Sequence, residues 1–426
     1  MASEVIRVLH IARYRSPSME RKLEVMADKL DRALWLGHSN VWLILLLALA
    51  FGTRVVLSMV SCDIIDVQNY ARVATIVKDH GVFALYTQTT GIYPYPPLWI
   101  WLEMLAHFLS EASRLRFGLL ARFPAILADV GIVCIVWAWH SGQTIGKRLL
   151  WSAIYALNPV SLIITCLHGQ FDAIPAFFAL FAVYAVERRH RPYLSAVILA
   201  LAIAFKPYPV LFLPLIVLEL KNIGRELLFA TIAIAPVLLL ILPFGLHTPE
   251  AVVREVFLYK GAALLGMLVP MRVVYVPLMH NHFPVVLTQQ IIAASRWLFL
   301  SGYAGLVVWQ ARRQVPLLAG CVAVLLWFYT AYAGIAPQYL IWALPFLLTL
   351  NIYSVLLPGS YTLASMLALY GFYAYAVPET FCFLPALPAW LPPLLYGLFG
   401  SLWWLVSGML LGWIVKKRPF LKMVEL

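Results

Sequence analysis

Val41-Trp42-Leu43-Ile44-Leu45-Leu46-Leu47-Ala48-Leu49-Ala50-Phe51-Gly52-Thr53-Arg54-Val55-Val56-Leu57-Ser58-Met59-Val60 is the first apolar run of the chain. At 1.5 Å per residue, a helix of this length covers the roughly 30 Å hydrocarbon core of a bilayer. Comparable runs recur as far as Val415, so lipid is the solvent and backbone polar groups must be satisfied within helices. Composition agrees: of 426 residues, 63% are hydrophobic and 12% charged, against about 25% charged in soluble domains. The 27 prolines and 23 glycines suit spans whose neighbours re-satisfy broken backbone bonds. No secretory signal is expected, because the run follows roughly forty polar residues.

The expected fold is an all-α integral membrane protein with about 12 transmembrane helices. Spans are expected near residues 41–60, 119–139, 149–167, 173–186, 193–205, 207–220, 227–244, 285–309, 315–334, 340–350, 361–377 and 391–415. The pair meeting at Lys206 reads equally as one kinked helix. The polytopic domain, 41–415, lies between a basic amphipathic lead-in, 1–40, and a basic tail, 416–426.

The net charge of +12 does not imply nucleic acid, because 20 of the 31 Lys and Arg residues fall in short clusters on one side. That is the positive-inside pattern, and it makes both termini cytoplasmic. Two long outer loops remain, 61–118 and 246–284, and loops of such length are often functional. The first is rich in aromatics and prolines and is expected to form interfacial helices. Five scattered cysteines show no metal spacing; Cys62 and Cys382 both fall on the outer side, which leaves a disulfide between them open.

Candidate chemistry gathers on that side. Asp63 and Asp66, three apart, share a face if the segment is helical, and either can accept a proton from a hydroxyl nucleophile; an ordinary acidic loop is the bland alternative. The stretch 91–99, with Tyr93, Tyr95 and Trp99 among prolines, reads as an interfacial anchor or as an aromatic wall for a sugar. His168, Gly169, Gln170, Phe171 and Asp172 form a compact polar patch. Lys206 either snorkels to water or binds an anionic phosphate. Arg122 and Asp129, seven apart, face one side of their helix, where ion pairs to other helices compete with a ligand role. Arg254, Lys260 and Arg272 are further cations near a phosphate site, and Gln338 and Tyr339 open a late span. His280 and His282 alone are poor metal ligands, so no metal or cofactor is expected.

The ordered set Asp66-x-x-x-Tyr70, Tyr95-Pro96-Pro97-Leu98, Gly169-Gln170-x-Asp172, Lys206-Pro207 and Pro337-Gln338-Tyr339-x-x-Trp342 resembles the GT-C glycosyltransferases, in particular the prokaryotic branch related to the GPI mannosyltransferases. The resemblance runs from about Ser61 to Pro345. It implies a GT-C-like fold and inverting transfer of a sugar, with mannose favoured, on the extracytoplasmic face of a prokaryotic cell membrane. The donor it implies is a polyprenyl-phosphate sugar, and the acceptor a hydroxyl of a lipid or glycan of the cell envelope. Asp66, with Asp63 as helper or alternative, takes the place of the base, because the DxD pair of the GPI enzymes is replaced here by a wider spacing. Lys206, Arg122 and Arg254 are the expected donor-phosphate contacts. Tyr70, Tyr95, His168, Gln170, Asp172, Gln338 and Tyr339 are the expected sugar or acceptor contacts. Two other classes compete: a transporter or flippase of a lipid-linked or anionic substrate, for which no internal repeat is found, and a non-catalytic scaffold with its outer loops as partner surfaces.

Overall fold

The computed structural model describes residues 39–279, 283–350, 356–383 and 387–416. The lead-in before residue 39, the tail beyond 416, and His280 and His282 lie outside them. Among the described residues the chain is helical throughout, with a single isolated β-bridge between Leu265 and Ile335.

The first span is α1 (Ser39–Val60). The first of the two long loops then folds into two helices, α2 (Ile65–His80) and α3 (Trp99–Ser113). α2 buries Val67, Tyr70, Val73, Ala74 and Val77, one stripe at helical spacing. Next come α4 (Phe117–Trp139), α5 (Ile145–Ala156), α6 (Ala173–Glu187), α7 (Pro192–Phe205), α8 (Leu213–Leu220) and α9 (Ile223–His247). The second outer loop carries α10 (Leu268–Met279). The chain closes with α11 (Val285–Arg313), α12 (Leu317–Ala331), α13 (Leu344–Thr349), α14 (Leu356–Ala376) and α15 (Leu391–Lys416).

Among the described residues, six helices are long and apolar enough to cross a membrane: α1, α4, α5 continued to His168, α9, α11 and α15. Of the other segments counted among the twelve, α14 has 21 residues and the rest are shorter. α6, α7, the Tyr208–Leu220 segment and α12 have 10–17 residues, and α13 has six. Their surroundings explain the shortness. Long helices show large apolar side chains outward, such as Leu239 at 66%, Trp297 at 75% and Met409 at 75% exposure, whereas Leu317 to Leu326 of α12 are buried. A helix enclosed by protein need not match the bilayer thickness, and its broken ends can be satisfied by neighbours.

Three such breaks position the site. α5 stops at Ala156; Asn158 caps the next turn by accepting from Val160 N at 3.0 Å. A π-helical turn, Ile163–His168, then runs to Gly169, which is left-handed at φ 85°. A Cβ there would come within 2.5 Å of Val67 Cγ2 and 3.0 Å of Arg122 Nε, so conformation and space both require glycine. α7 ends at Lys206, which is extended (φ −146°, ψ 142°) ahead of Pro207. α12 gives way to a 3₁₀ turn, Pro337–Ile341.

One buried polar network ties α1 to α4 and α5, and a second tie holds the start of the first loop. The Ala156 carbonyl, at the end of α5, accepts from Arg54 Nη1 at 2.7 Å. Arg54 also pairs with Asp129 at 2.9 Å and donates to Ser161, while Tyr155 and Ser161 donate to Asp129 at 2.6 and 2.8 Å. Every member is buried and matched, which is what keeps an ion pair tolerable away from water. Arg122, on the same face of α4 as Asp129, instead reaches outward to Asp63 at 2.6 Å and to the Cys62 carbonyl at 3.0 Å. Cys62 is disulfide-bonded to Cys382, 320 residues away. Cys134, Cys166 and Cys321 are free.

Candidate functional site

Asp63 and Asp66 part company. α2 begins at Ile65, so Asp63 lies before the helix and the two acids do not share a helical face. Asp63 turns to Arg122 and to Arg116 at 3.5 Å. A Cβ on Gly118 would overlap its carboxylate.

Asp66, in the first turn of α2, projects into the cleft where the broken helices meet. His168 Nε2 lies 2.5 Å from Asp66 Oδ2, and Gln170 Nε2 donates to the same oxygen at 2.7 Å. Oδ1 has no bonding partner among the described residues, and the side chain is 30% exposed. The other ring nitrogen of His168, Nδ1, meets the Tyr373 hydroxyl of α14. The ring therefore bridges Asp66 and Tyr373 through its two nitrogens. Burial pushes the Asp66 pKa upward, but the hydrogen bonds from His168 and Gln170 and nearby positive charge, Lys206 included, outweigh it. The carboxyl is held below its ordinary value.

Behind this pair, Lys206 donates to Asp172 Oδ2 at 2.6 Å, and the Trp342 indole donates to Asp172 Oδ1 at 2.6 Å. The ammonium lies 4.6 Å from the ring centroid of Phe171, 5.0 Å from Tyr95 and 5.9 Å from Tyr339, within cation–π range. Tyr208 and Tyr339 stack on Trp342 at 3.8 and 4.0 Å. An aromatic box therefore surrounds a buried Lys–Asp pair, with Asp66 at its open edge.

All three cations expected to meet a donor phosphate have carboxylate partners: Lys206 has Asp172, Arg122 has Asp63, and Arg254 has Glu255 at 2.8 Å. Arg254 also donates to Thr90 at 3.2 Å, and Glu255 accepts from Gly91 N, so this pair joins the two outer loops. Lys260 and Arg296, by contrast, form no salt bridge among the described residues, and Arg296 donates to the carbonyls of Leu258 and Tyr259.

Tyr95, His168, Gln170, Asp172, Lys206 and Tyr339 thus share one cleft with Asp66. Tyr70 does not open into it: its ring packs on Trp99 and Phe171, and its buried hydroxyl is unmatched. Gln338 is half-buried in its 3₁₀ turn, outside the hydrogen-bond network. Sequence reasoning missed Tyr373, which sits in an unremarkable apolar helix, and Tyr259. Tyr259 is 41% exposed and close enough to Tyr339, Asp66 and Asp172 to interact with each. It also missed Arg54, although a charge inside a span is itself a signal.

Residues 65–249 match the family described as the GPI transamidase subunit PIG-U. The matched stretch is less than half of the chain and contains Asp66, His168, Gln170, Asp172 and Lys206. That description is of a subunit in a membrane-bound transamidase, not of a mannosyltransferase. No curated protein matches the chain.

Proposed function

We propose that the chain transfers a sugar from a polyprenyl-phosphate carrier to a hydroxyl acceptor on the outer side, with Asp66 as the base. One observation carries this reading: the Asp66 carboxylate has one oxygen fixed by His168 and Gln170 and the other unclaimed, at the open edge of a polar, aromatic-lined cleft. An acceptor hydroxyl placed at Oδ1 gives up its proton there as its oxygen attacks the anomeric carbon. The bond from that carbon to the carrier phosphate breaks, and the phosphate leaves with the electron pair. General-base help of this kind contributes about 10²–10⁴-fold. Lys206 serves as a positioning residue, because its charge is matched by Asp172. Lys260, next to Tyr259 in sequence, and Arg296, which donates to the Tyr259 carbonyl, are the cations left to meet the departing phosphate.

Asp66→Asn should lower transfer from a polyprenyl-phosphate sugar by at least about 10²-fold while leaving insertion and the Cys62–Cys382 bond intact. Asp63→Asn should act on stability instead. Undiminished transfer in Asp66→Asn sinks the mechanism.

The transamidase-subunit match supports a second reading, in which the same cleft recognises a lipid-linked glycan without altering it. Glycolipid binding by the wild-type protein, with no turnover across a panel of polyprenyl-phosphate sugars, would favour it.

A further inference from the structure

A second cavity, of about 1260 Å³, opens at the opposite ends of the helices that frame the Asp66 cleft. α6 leads from Asp172 at one site to Glu187 in the lining of the other, and fifteen residues at 1.5 Å each separate them by roughly 22 Å. The cavity is ringed by the loops after α6, α8 and α11. These are basic loops, which charge asymmetry assigns to the cytoplasmic side.

The lining combines three features. Arg188, Lys221 and Arg225 supply cations, none in a salt bridge among the described residues; Arg188 donates only to the Trp139 carbonyl, at 3.2 Å. Glu187 and Glu219 supply carboxylates. Apolar side chains such as Leu218 and Leu317 form the rest of the wall. The rim is also conformationally unusual. Of the four non-glycine residues with left-handed backbone among those described, three, His190, Lys221 and Gln314, line this cavity. Lys221 and Gln314 are the left-handed C-caps of α8 and α11, so the rim is built from helix ends.

We propose that this cavity holds the head of a phospholipid of the inner leaflet. The cations take the phosphate and the apolar wall takes the first carbons of the acyl chains, while Glu187 accepts from Leu318 N at 3.0 Å. The volume exceeds the 300–1,000 Å³ usual for small-molecule pockets, as a head with attached chain requires. Basic pockets between helices on the cytoplasmic side are a recognised way of holding lipid head groups.

The test uses the full chain in nanodiscs of phosphatidylglycerol and phosphatidylcholine in equal parts, with lipid retention read by native mass spectrometry after release into detergent. Wild type should retain phosphatidylglycerol. Lys221→Gln and Arg225→Gln should each weaken retention roughly tenfold. The Arg312→Gln, Arg313→Gln pair, on the same face but outside the lining, should not. Each variant is first checked for an unchanged melting profile, and Lys221→Arg should restore binding. Equal retention in the cavity variants and the control pair overturns the proposal. So does glycerol 3-phosphate displacing the lipid at equal concentration, which would make the ligand a soluble phosphate ester.

Discussion

At the residue scale, two acids of the first long loop, one half-buried and one fully buried, behave in opposite ways. Asp66 is held below its ordinary value, so its proton-accepting form persists into acid. The acid limb of a transfer profile that reports this group should therefore fall below pH ~3.9, the unperturbed carboxylate value. Stability from its hydrogen bonds is present above the unfolded pKa and lost as pH falls through the folded one. An acid limb well above the ordinary carboxylate range would exclude Asp66 as the titrating base. Glu103 is the reverse. It is fully buried in α3, neither oxygen is matched, and burial drives its pKa well up, with the Trp99 indole opposing only in part. Its folded pKa exceeds its unfolded one, so the fold loses about 1.4 kcal/mol for each pH unit between them. Glu103→Gln should raise the melting temperature at neutral pH and flatten its decline from pH 5 to 8. An unchanged pH slope would mean that Glu103 is not the group responsible. The sequence singled out Asp66 and showed no sign of Glu103; the environment of Asp66 comes from partners 102 and 104 residues away, His168 and Gln170.

At the element scale, the site rests on interruptions. The π turn before Gly169, the extended Lys206 and the 3₁₀ turn at Pro337 each end a helix early and leave a polar side chain inside the protein. Gly169→Ala should cost about 1–2 kcal/mol through its backbone conformation and displace Val67, the neighbour of Asp66, lowering transfer at least tenfold. A variant with wild-type activity would show that this close approach is dispensable. The interruptions were partly legible: Lys206-Pro207 and the Gly169 patch stand out in an apolar sequence, and proline or glycine there announces a break. What the sequence did not reveal was the length of the helices between them. Apolar runs look alike whether lipid or protein surrounds them, so α6, α7 and α12 read as full spans. Lys206 showed no acidic neighbour in sequence because Asp172 lies 34 residues away.

At the scale of the whole molecule, the all-helical membrane architecture was the most legible property, because long apolar runs recur along the chain. The outer loops are fastened to the bundle and to each other by three ties: Asp63–Arg122, Glu255–Gly91, and Cys62–Cys382. Replacing both cysteines by serine should lower stability by about 2–4 kcal/mol and sensitise transfer to mild heat, measured as residual activity after incubation. Identical inactivation curves with and without reductant would remove the disulfide from the account. The bond also sets a timetable. Ribosomes deliver the chain from its amino end, so Cys62 must wait for 320 further residues before its mate is made. A chain stopped before Cys382 therefore leaves the segment bearing Asp66 unlatched.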